Sequence, residues 1–136
     1  MMAAIQSQMI FIGKVFTGMK KTTMNLILKL LGNSEVFFDI GANTGSYSLV
    51  AASLNKKVNV HAFEPVDAAF NMLVSSKNLS NFDNIKPNNI ALSNFNGEST
   101  FNLQMADSPV IPLGSSLRQD MGDQHNKRTI KVKTLL

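Results

Sequence analysis

The sequence predicts an α/β fold in which helices pack on a parallel sheet, and two observations predict it. Residues 36–40 are an apolar run of β-branched and aromatic type, which is typical of a strand covered on both faces. A helical pattern over residues 46–54 then leads to a second apolar run at residues 57–65. Strand, helix and strand in this order build parallel sheets. The 136 residues suit one domain.

An acidic residue and two glycines follow the first predicted strand. Asp39 stands at the carboxyl end of the strand, and open α/β sheets bind ligands beyond the carboxyl ends of their strands. Gly41 and Gly45 allow positive φ and a close approach to a ligand, and Ser46 is expected to cap the next helix. Residues 39–46 therefore predict a nucleotide-type binding turn.

The residues of this turn favour some ligand classes over others. A Walker-type phosphate loop needs Lys-Ser or Lys-Thr after its last glycine, which Ser46-Tyr47 do not provide. A dinucleotide site wants glycine where Asn43 stands, and the Asp39 carboxylate would repel a pyrophosphate. That carboxylate instead favours a ligand with a cationic amino group, such as S-adenosylmethionine.

A second carboxylate ends the second predicted strand. Glu64 follows alternating apolar residues at 58–62 and precedes Pro65. An acid at the end of this strand, roughly 20 residues beyond the glycine turn, accepts hydrogen bonds from ribose hydroxyls in several nucleotide-binding folds. Glu64 alone does not choose between NAD and S-adenosylmethionine, but the pair of Asp39 and Glu64 favours S-adenosylmethionine.

Four ordered blocks of the sequence resemble those of FkbM-type methyltransferases. They are DIGANTGSYS, AFEP, NIALS and GESTF, at residues 39–48, 62–65, 89–93 and 97–101. The resemblance covers roughly residues 35–136. It implies an S-adenosylmethionine-dependent enzyme with a Rossmann-like class I methyltransferase fold, commonly acting on hydroxyl oxygens of natural products or saccharides.

The resemblance also implies which residues bind the cofactor. Asp39, Gly41 and Gly45 would shape the methionine end of the site. Glu64 would bind the ribose, and Ala91 would lie near the adenine. The full expected set is Asp39, Gly41, Ala42, Asn43, Gly45, Tyr47, Glu64, Pro65 and Ala91. No catalytic residue is identified.

Residues 1–34 are predicted to form an N-terminal helical segment. Apolar residues recur at helical spacing over residues 5–19 and 24–31, with Thr22 or Thr23 as the cap of the second helix. Charged residues and glycine interrupt both runs before the ~18 residues that a membrane span needs. Helices beside the sheet or over the site are expected, with an interfacial membrane anchor as the alternative.

The rest of the chain predicts one helix and one edge strand. Residues 66–78 carry apolar residues at helical spacing, with Asp67 as the expected cap. Residues 85–92 predict a third strand, and Pro87 predicts that it lies at the edge of the sheet.

Two alternating runs, residues 99–104 and 129–135, predict an antiparallel hairpin across a long loop at residues 105–124. The fold expected for residues 35–136 is thus a partial Rossmann-like domain with N-terminal helices and a β-hairpin extension. The FkbM-type family continues with a strand bearing an Asp-x-Glu-Gly block, whereas this sequence ends at Leu136. We therefore expect low activity and an exposed edge on the first strand that associates with itself or with a complementing chain.

Composition restricts partners and compartment. The net charge is +4 and the basic residues are scattered without interleaved aromatics, so nucleic-acid binding is not predicted. The absence of cysteine excludes disulfides and fits a cytoplasmic protein. His61 is expected to be a core histidine and His125 to be solvated, and no metal site is predicted.

The first hypothesis is an S-adenosylmethionine-dependent methyltransferase acting on oxygen of a small hydroxylated or saccharide acceptor. The alternatives are a non-catalytic cofactor-binding or interaction module and an NAD-dependent oxidoreductase fragment.

Overall fold

The computed structural model describes residues 21–102 and 127–133, which form three helices and six strands. The predicted helix at residues 5–19, the predicted loop at 105–124 and His125 lie outside these residues. The elements are α1 Lys21–Leu31, β1 Val36–Ile40, α2 Ser46–Leu54, β2 Asn59–Phe63, α3 Asp67–Leu79, β3 Ile85–Asn88, β4 Ala91–Leu92, β5 Gly97–Asn102 and β6 Lys127–Lys133.

The first sheet is parallel, with strand order β1, β2, β3. Phe38 lies opposite His61, and Val60 lies opposite Ile85. The helices α2 and α3 make the two crossovers, so the predicted α/β architecture is confirmed. The edge position predicted from Pro87 is also confirmed, because β3 is the last strand of this sheet.

All three helices pack on one face of the first sheet. Ile27 of α1, Leu49 of α2 and Leu73 of α3 share a core with the alternate residues of β2 that point to that face. Within the part of the chain that the structure describes, the buried residues of this core are Ile27, Leu31, Ala42, Leu49, Ala51, Ala52, Val58, Val60, Ala62, Leu73, Phe82 and Ile85. None of the helices in the described ranges is long and apolar enough to cross a membrane.

The opposite face of β1 is open, so the prediction that β1 is covered on both faces is wrong within the described residues. Val36, Phe38 and Ile40 are 45%, 50% and 61% exposed. The Phe38 ring stacks near Phe63, with ring centroids 6.1 Å apart. His61 was expected in the core, but it is half-buried on this open face, 5.3 Å from the Phe38 ring.

The second sheet joins β4, β6 and β5 in that order. The predicted hairpin is confirmed, because β5 and β6 are antiparallel, although β5 begins earlier, at Gly97. The hairpin pairs with β4 in this second sheet and not with β1.

The predicted single strand at residues 85–92 is wrong, since the chain forms two short strands in different sheets. β2 ends at Phe63, and Glu64 still donates its N–H to the carbonyl of Asn88, 3.0 Å away. Pro65 follows, and proline cannot donate to a ladder. The chain beyond Asn88 therefore leaves the first sheet, and Ala91 pairs in parallel with Val132.

The predicted helix caps are also wrong. Gly45, in the left-handed conformation, precedes α2, so Ser46 is the first helical residue and not the cap. Val66 precedes α3, which places Asp67 inside the first turn. Thr22 and Thr23 lie within α1.

Candidate functional site

The two predicted carboxylates lie at the carboxyl ends of adjacent parallel strands. Asp39 is the fourth residue of β1 and lies opposite Ala62 of β2, two residues before Glu64. Two loops leave these strand ends, residues 41–45 after β1 and residues 64–66 after β2. Asp39, Glu64 and the predicted glycines therefore lie at the ends of two neighbouring strands and in the turns that follow them.

Three residues of the loop at residues 41–45 have a positive φ, namely Gly41 at 77°, Asn43 at 51° and Gly45 at 87°. The N–H groups of Gly41 and Ala42 both donate to the carbonyl oxygen of Phe63, at 2.9 and 3.0 Å. These two hydrogen bonds to one carbonyl oxygen fix the loop to the end of β2.

The two glycines have different surroundings. A Cβ on Gly41 would meet no atom within 4 Å, so this position borders open space at the strand end. A Cβ on Gly45 would overlap Cδ1 of the Leu73 side chain in α3. Gly45 is therefore required for packing between the loop and α3, whereas Gly41 leaves room for a ligand to approach the backbone.

Glu64 connects the two loops. Its Oε2 accepts the N–H of Asn43 at 2.8 Å, and its Oε1 accepts the N–H of Val66 at 2.9 Å. The residue is only 6% exposed. An ionised carboxylate has about four lone-pair sites, so each oxygen can accept one further hydrogen bond. Two hydroxyls on adjacent carbon atoms would match that remaining capacity.

Asp39 faces the helices and is 8% exposed. Its Oδ2 accepts the hydroxyl of Ser48 at 2.6 Å. Burial raises the pKa of the Asp39 carboxyl, and hydrogen bonds from the Ser48 side chain and backbone lower it by less. Asp39 thus links β1 to the first turn of α2 through Ser48.

Sequence reasoning missed Ser48 as the partner of Asp39. Its signal was weak: Ser48 stands in the first turn of the helix, where backbone N–H groups lack intrahelical acceptors. Two further predicted residues, Ala42 and Tyr47, pack inward. Ala42 belongs to the core, and Tyr47 is partly buried against it.

Pro65, another of the predicted residues, lines a cleft of about 580 Å³ between the start of α3 and β6. Its lining includes Pro65, Val66, Asp67, Ala68, Asn89, Thr129, Ile130 and Lys131. Ala91 does not line it, but packs with Ile130 and Val132 in a small cluster that also contacts Val66. The volume falls within the range of about 300–1,000 Å³ that is usual for small-molecule sites.

The β6 wall of this cleft was not predicted. The alternation over residues 127–133 predicted a strand, but it carried no signal that β6 would pair with β4 and bring Thr129 beside α3. The side chain of Asn89 donates to the carbonyl of Glu64 at 3.1 Å and so ties the cleft to the carboxylate site.

Across residues 21–102 and 127–133, no three His, Cys, Asp or Glu side chains are grouped so that they could hold a metal ion. No protein-family model, curated protein or solved structure matches this chain. The chemistry of the site is therefore inferred from its residues and geometry.

Proposed function

We propose that this chain binds S-adenosylmethionine in a Rossmann-like methyltransferase domain and serves methyl transfer to a hydroxyl oxygen of a small or saccharide acceptor. The observation that carries the proposal is the Glu64 carboxylate, which is buried at the end of β2 and tied to the β1 glycine loop through Asn43. The resemblance of four sequence blocks to FkbM-type methyltransferases supports the same assignment.

The ribose is assigned to Glu64. Burying an ionised carboxylate costs free energy unless hydrogen bonds compensate it, and backbone donors alone occupy only part of its acceptor capacity. Two ribose hydroxyls would supply charge-assisted hydrogen bonds to the same two oxygens. This use of the free lone pairs explains why an acid is placed there.

The adenine is assigned to the cleft between α3 and β6. Pro65, Val66 and Ile130 offer apolar surface for a flat purine ring. Asn89 and Thr129 offer hydrogen-bonding groups at its edges. The cleft begins one residue after Glu64, so a nucleoside whose ribose lies on that carboxylate would reach it.

The methionine end is assigned to the loop after β1. A cationic amino group near Asp39 would favour the ionised form of a carboxyl whose pKa burial raises. Gly41 leaves open space for the ligand beside the backbone. Asn43 contributes its N–H to Glu64, so the same loop contacts both ends of the proposed site.

The cofactor supplies an electrophilic methyl group, and the residues of the chain bind and orient. Positioning the two reactants can supply much of the rate enhancement of a transfer reaction. A hydroxyl acceptor also needs a proton acceptor. Asp39 and Glu64 are engaged in structural hydrogen bonds, and His61 lies mid-strand on the open face, so we assign this role to none of them.

Isothermal titration with S-adenosylhomocysteine tests the proposal. We expect saturable binding by the wild-type chain and a loss of ten- to a hundredfold in affinity for Glu64→Gln. The matched control is Glu35→Gln, an exposed position just before the amino end of β1, which should bind as the wild type does. Absence of binding by a folded chain would refute the proposal, and a saturable fluorescence signal with NADH instead would favour a dinucleotide site.

A further inference from the structure

The two edges of the first sheet are protected differently. The β3 edge carries Lys86, which is exposed, and Pro87, and both discourage pairing with another strand. On β1 the exposed residues are Val36, Phe38 and Ile40, which carry no charge. The only charged residue of β1 is Asp39, which faces the helices and is buried.

The outer backbone groups of β1 face away from the other strands of the described sheet. The carbonyl of Glu35 accepts from Asn59, and the N–H of Gly41 donates to Phe63, so the odd-numbered residues of this segment bond to β2. The N–H and C=O groups of Val36, Phe38 and Ile40 therefore point away from β2. Among the described strands, none pairs with this edge.

We propose that β1 pairs antiparallel with β1 of a second copy of this chain, about a two-fold axis at Phe38. In this register Phe38 lies opposite Phe38 of the second copy, and Val36 lies opposite Ile40. Asp39 lies opposite Phe37, so no like charges meet. The strand is thus self-complementary in hydrophobicity and in charge, as a two-fold interface requires.

The area that this pairing can bury limits the strength of the association. Half of three apolar side chains is at most roughly 225–375 Å² per copy, taking the ~150–250 Å² of a whole aromatic side chain for each. Pairing buries only part of this area, because side chains on the face of a sheet contact only their cross-strand neighbours. Stable interfaces bury ~800 Å² per partner. The dimer is therefore reversible and depends on concentration. A strand from a different protein is the competing occupant, and the experiments below distinguish it.

Cysteine crosslinking tests the register, because the natural sequence contains no cysteine. Phe38→Cys places two sulfurs at directly opposed positions, whose Cα atoms lie ~5.5 Å apart in a hydrogen-bonded antiparallel pair. That separation is within disulfide reach. Val36→Cys or Ile40→Cys alone places like residues four positions out of register, about 13 Å apart.

We expect disulfide-linked dimers for Phe38→Cys, none for Val36→Cys or Ile40→Cys alone, and mixed dimers when these two variants are combined under mild oxidation. Equal crosslinking of all three single variants, or none for Phe38→Cys, would overturn the proposal. Intact-mass measurement identifies the linked species.

Sedimentation velocity over a concentration series provides a second test, without a crosslink. Wild-type protein should shift from monomer to dimer, and Phe38→Lys should weaken the association by at least tenfold because two cations would meet at the axis. Leu79→Lys is the matched control, since Leu79 is 86% exposed on α3, away from β1. A wild-type chain that stays monomeric throughout, or a Phe38→Lys chain that dimerises normally, would exclude a second copy as the occupant.

Discussion

The backbone N–H of Asn43 donates a hydrogen bond to Oε2 of Glu64 across 2.8 Å. These residues are 21 positions apart and belong to the loops that follow two neighbouring strands. Asn43 makes this contact from a positive φ of 51°. The two halves of the proposed cofactor site therefore depend on one carboxylate.

Replacement of Glu64 by alanine should affect both stability and binding. The substitution leaves the N–H groups of Asn43 and Val66 without their acceptor, and a buried unsatisfied donor costs ~1–3 kcal/mol. Thermal melts should show this loss, and titration with S-adenosylhomocysteine below the melting range should show an affinity at least tenfold lower. Unchanged affinity would place the ribose elsewhere.

Alanine at Gly41 and at Gly45 should have different consequences. Both positions have positive φ, which costs roughly 1–2 kcal/mol for a residue with a Cβ. A Cβ at Gly41 would face open space, so Gly41→Ala should lower stability only by this backbone cost. It should also weaken ligand binding. Gly45→Ala also collides with Leu73 and should lower the melting temperature more. Chemical denaturation of both variants measures the order, and the reverse order would contradict the packing role of Gly45.

Asp39→Asn should stabilise the chain at neutral pH. Burial raises the pKa of Asp39 above its ordinary value of 3.8, so the folded chain binds more protons than the unfolded chain between the two values. Wild-type stability therefore falls as pH rises through that window, and the penalty is fully present above the raised pKa.

The advantage of Asp39→Asn should accordingly be largest at pH 7 and shrink as the pH is lowered toward 3.8. Melting temperatures of both proteins across this range measure it. Ser48→Ala is the companion variant, because it removes the 2.6 Å hydrogen bond from Ser48 to the Asp39 carboxylate. In a chain that keeps Asp39, it should lower the free energy of unfolding. An Asp39→Asn difference that does not change with pH would show that the carboxyl has no raised pKa.

Two residues of β6 provide a matched pair for the cleft. Ile130 and Val132 are both buried in the small cluster with Ala91, but of the two only Ile130 is among the residues that line the cleft. Truncating either to alanine should cost on the order of 1–4 kcal/mol in stability. Only Ile130→Ala should also weaken binding of S-adenosylhomocysteine, and equal affinities in the two variants would move the adenine away from the cleft.

The sequence predicted the parts of the fold that local patterns determine. The apolar runs at β1 and β2, the helical spacing of α3 and the alternation in β5 and β6 each specify an element without reference to its neighbours. Pro87 also predicted an edge, because proline has no N–H to donate to a strand on one of its two sides.

Features that depend on distant partners were not predictable. In β1 the residues on both faces are apolar apart from Asp39, so the pattern could not tell which face the helices cover. The break between β3 and β4 depends on where β2 ends. Asn88 is the last residue of β3 that pairs with β2, opposite Phe63. The Asp39 and Ser48 pair required the three-dimensional position of the first turn of α2.

The small cluster of Ala91, Ile130 and Val132 has a consequence for local opening of the molecule. Among residues 21–102 and 127–133 it contains three buried residues, against twelve in the core beneath the first sheet. Regions with few buried apolar contacts open at lower free energy than the rest of a domain. Amide protons of β6 should therefore exchange with solvent sooner than those of β2, and a ligand held between α3 and β6 should slow β6 exchange selectively.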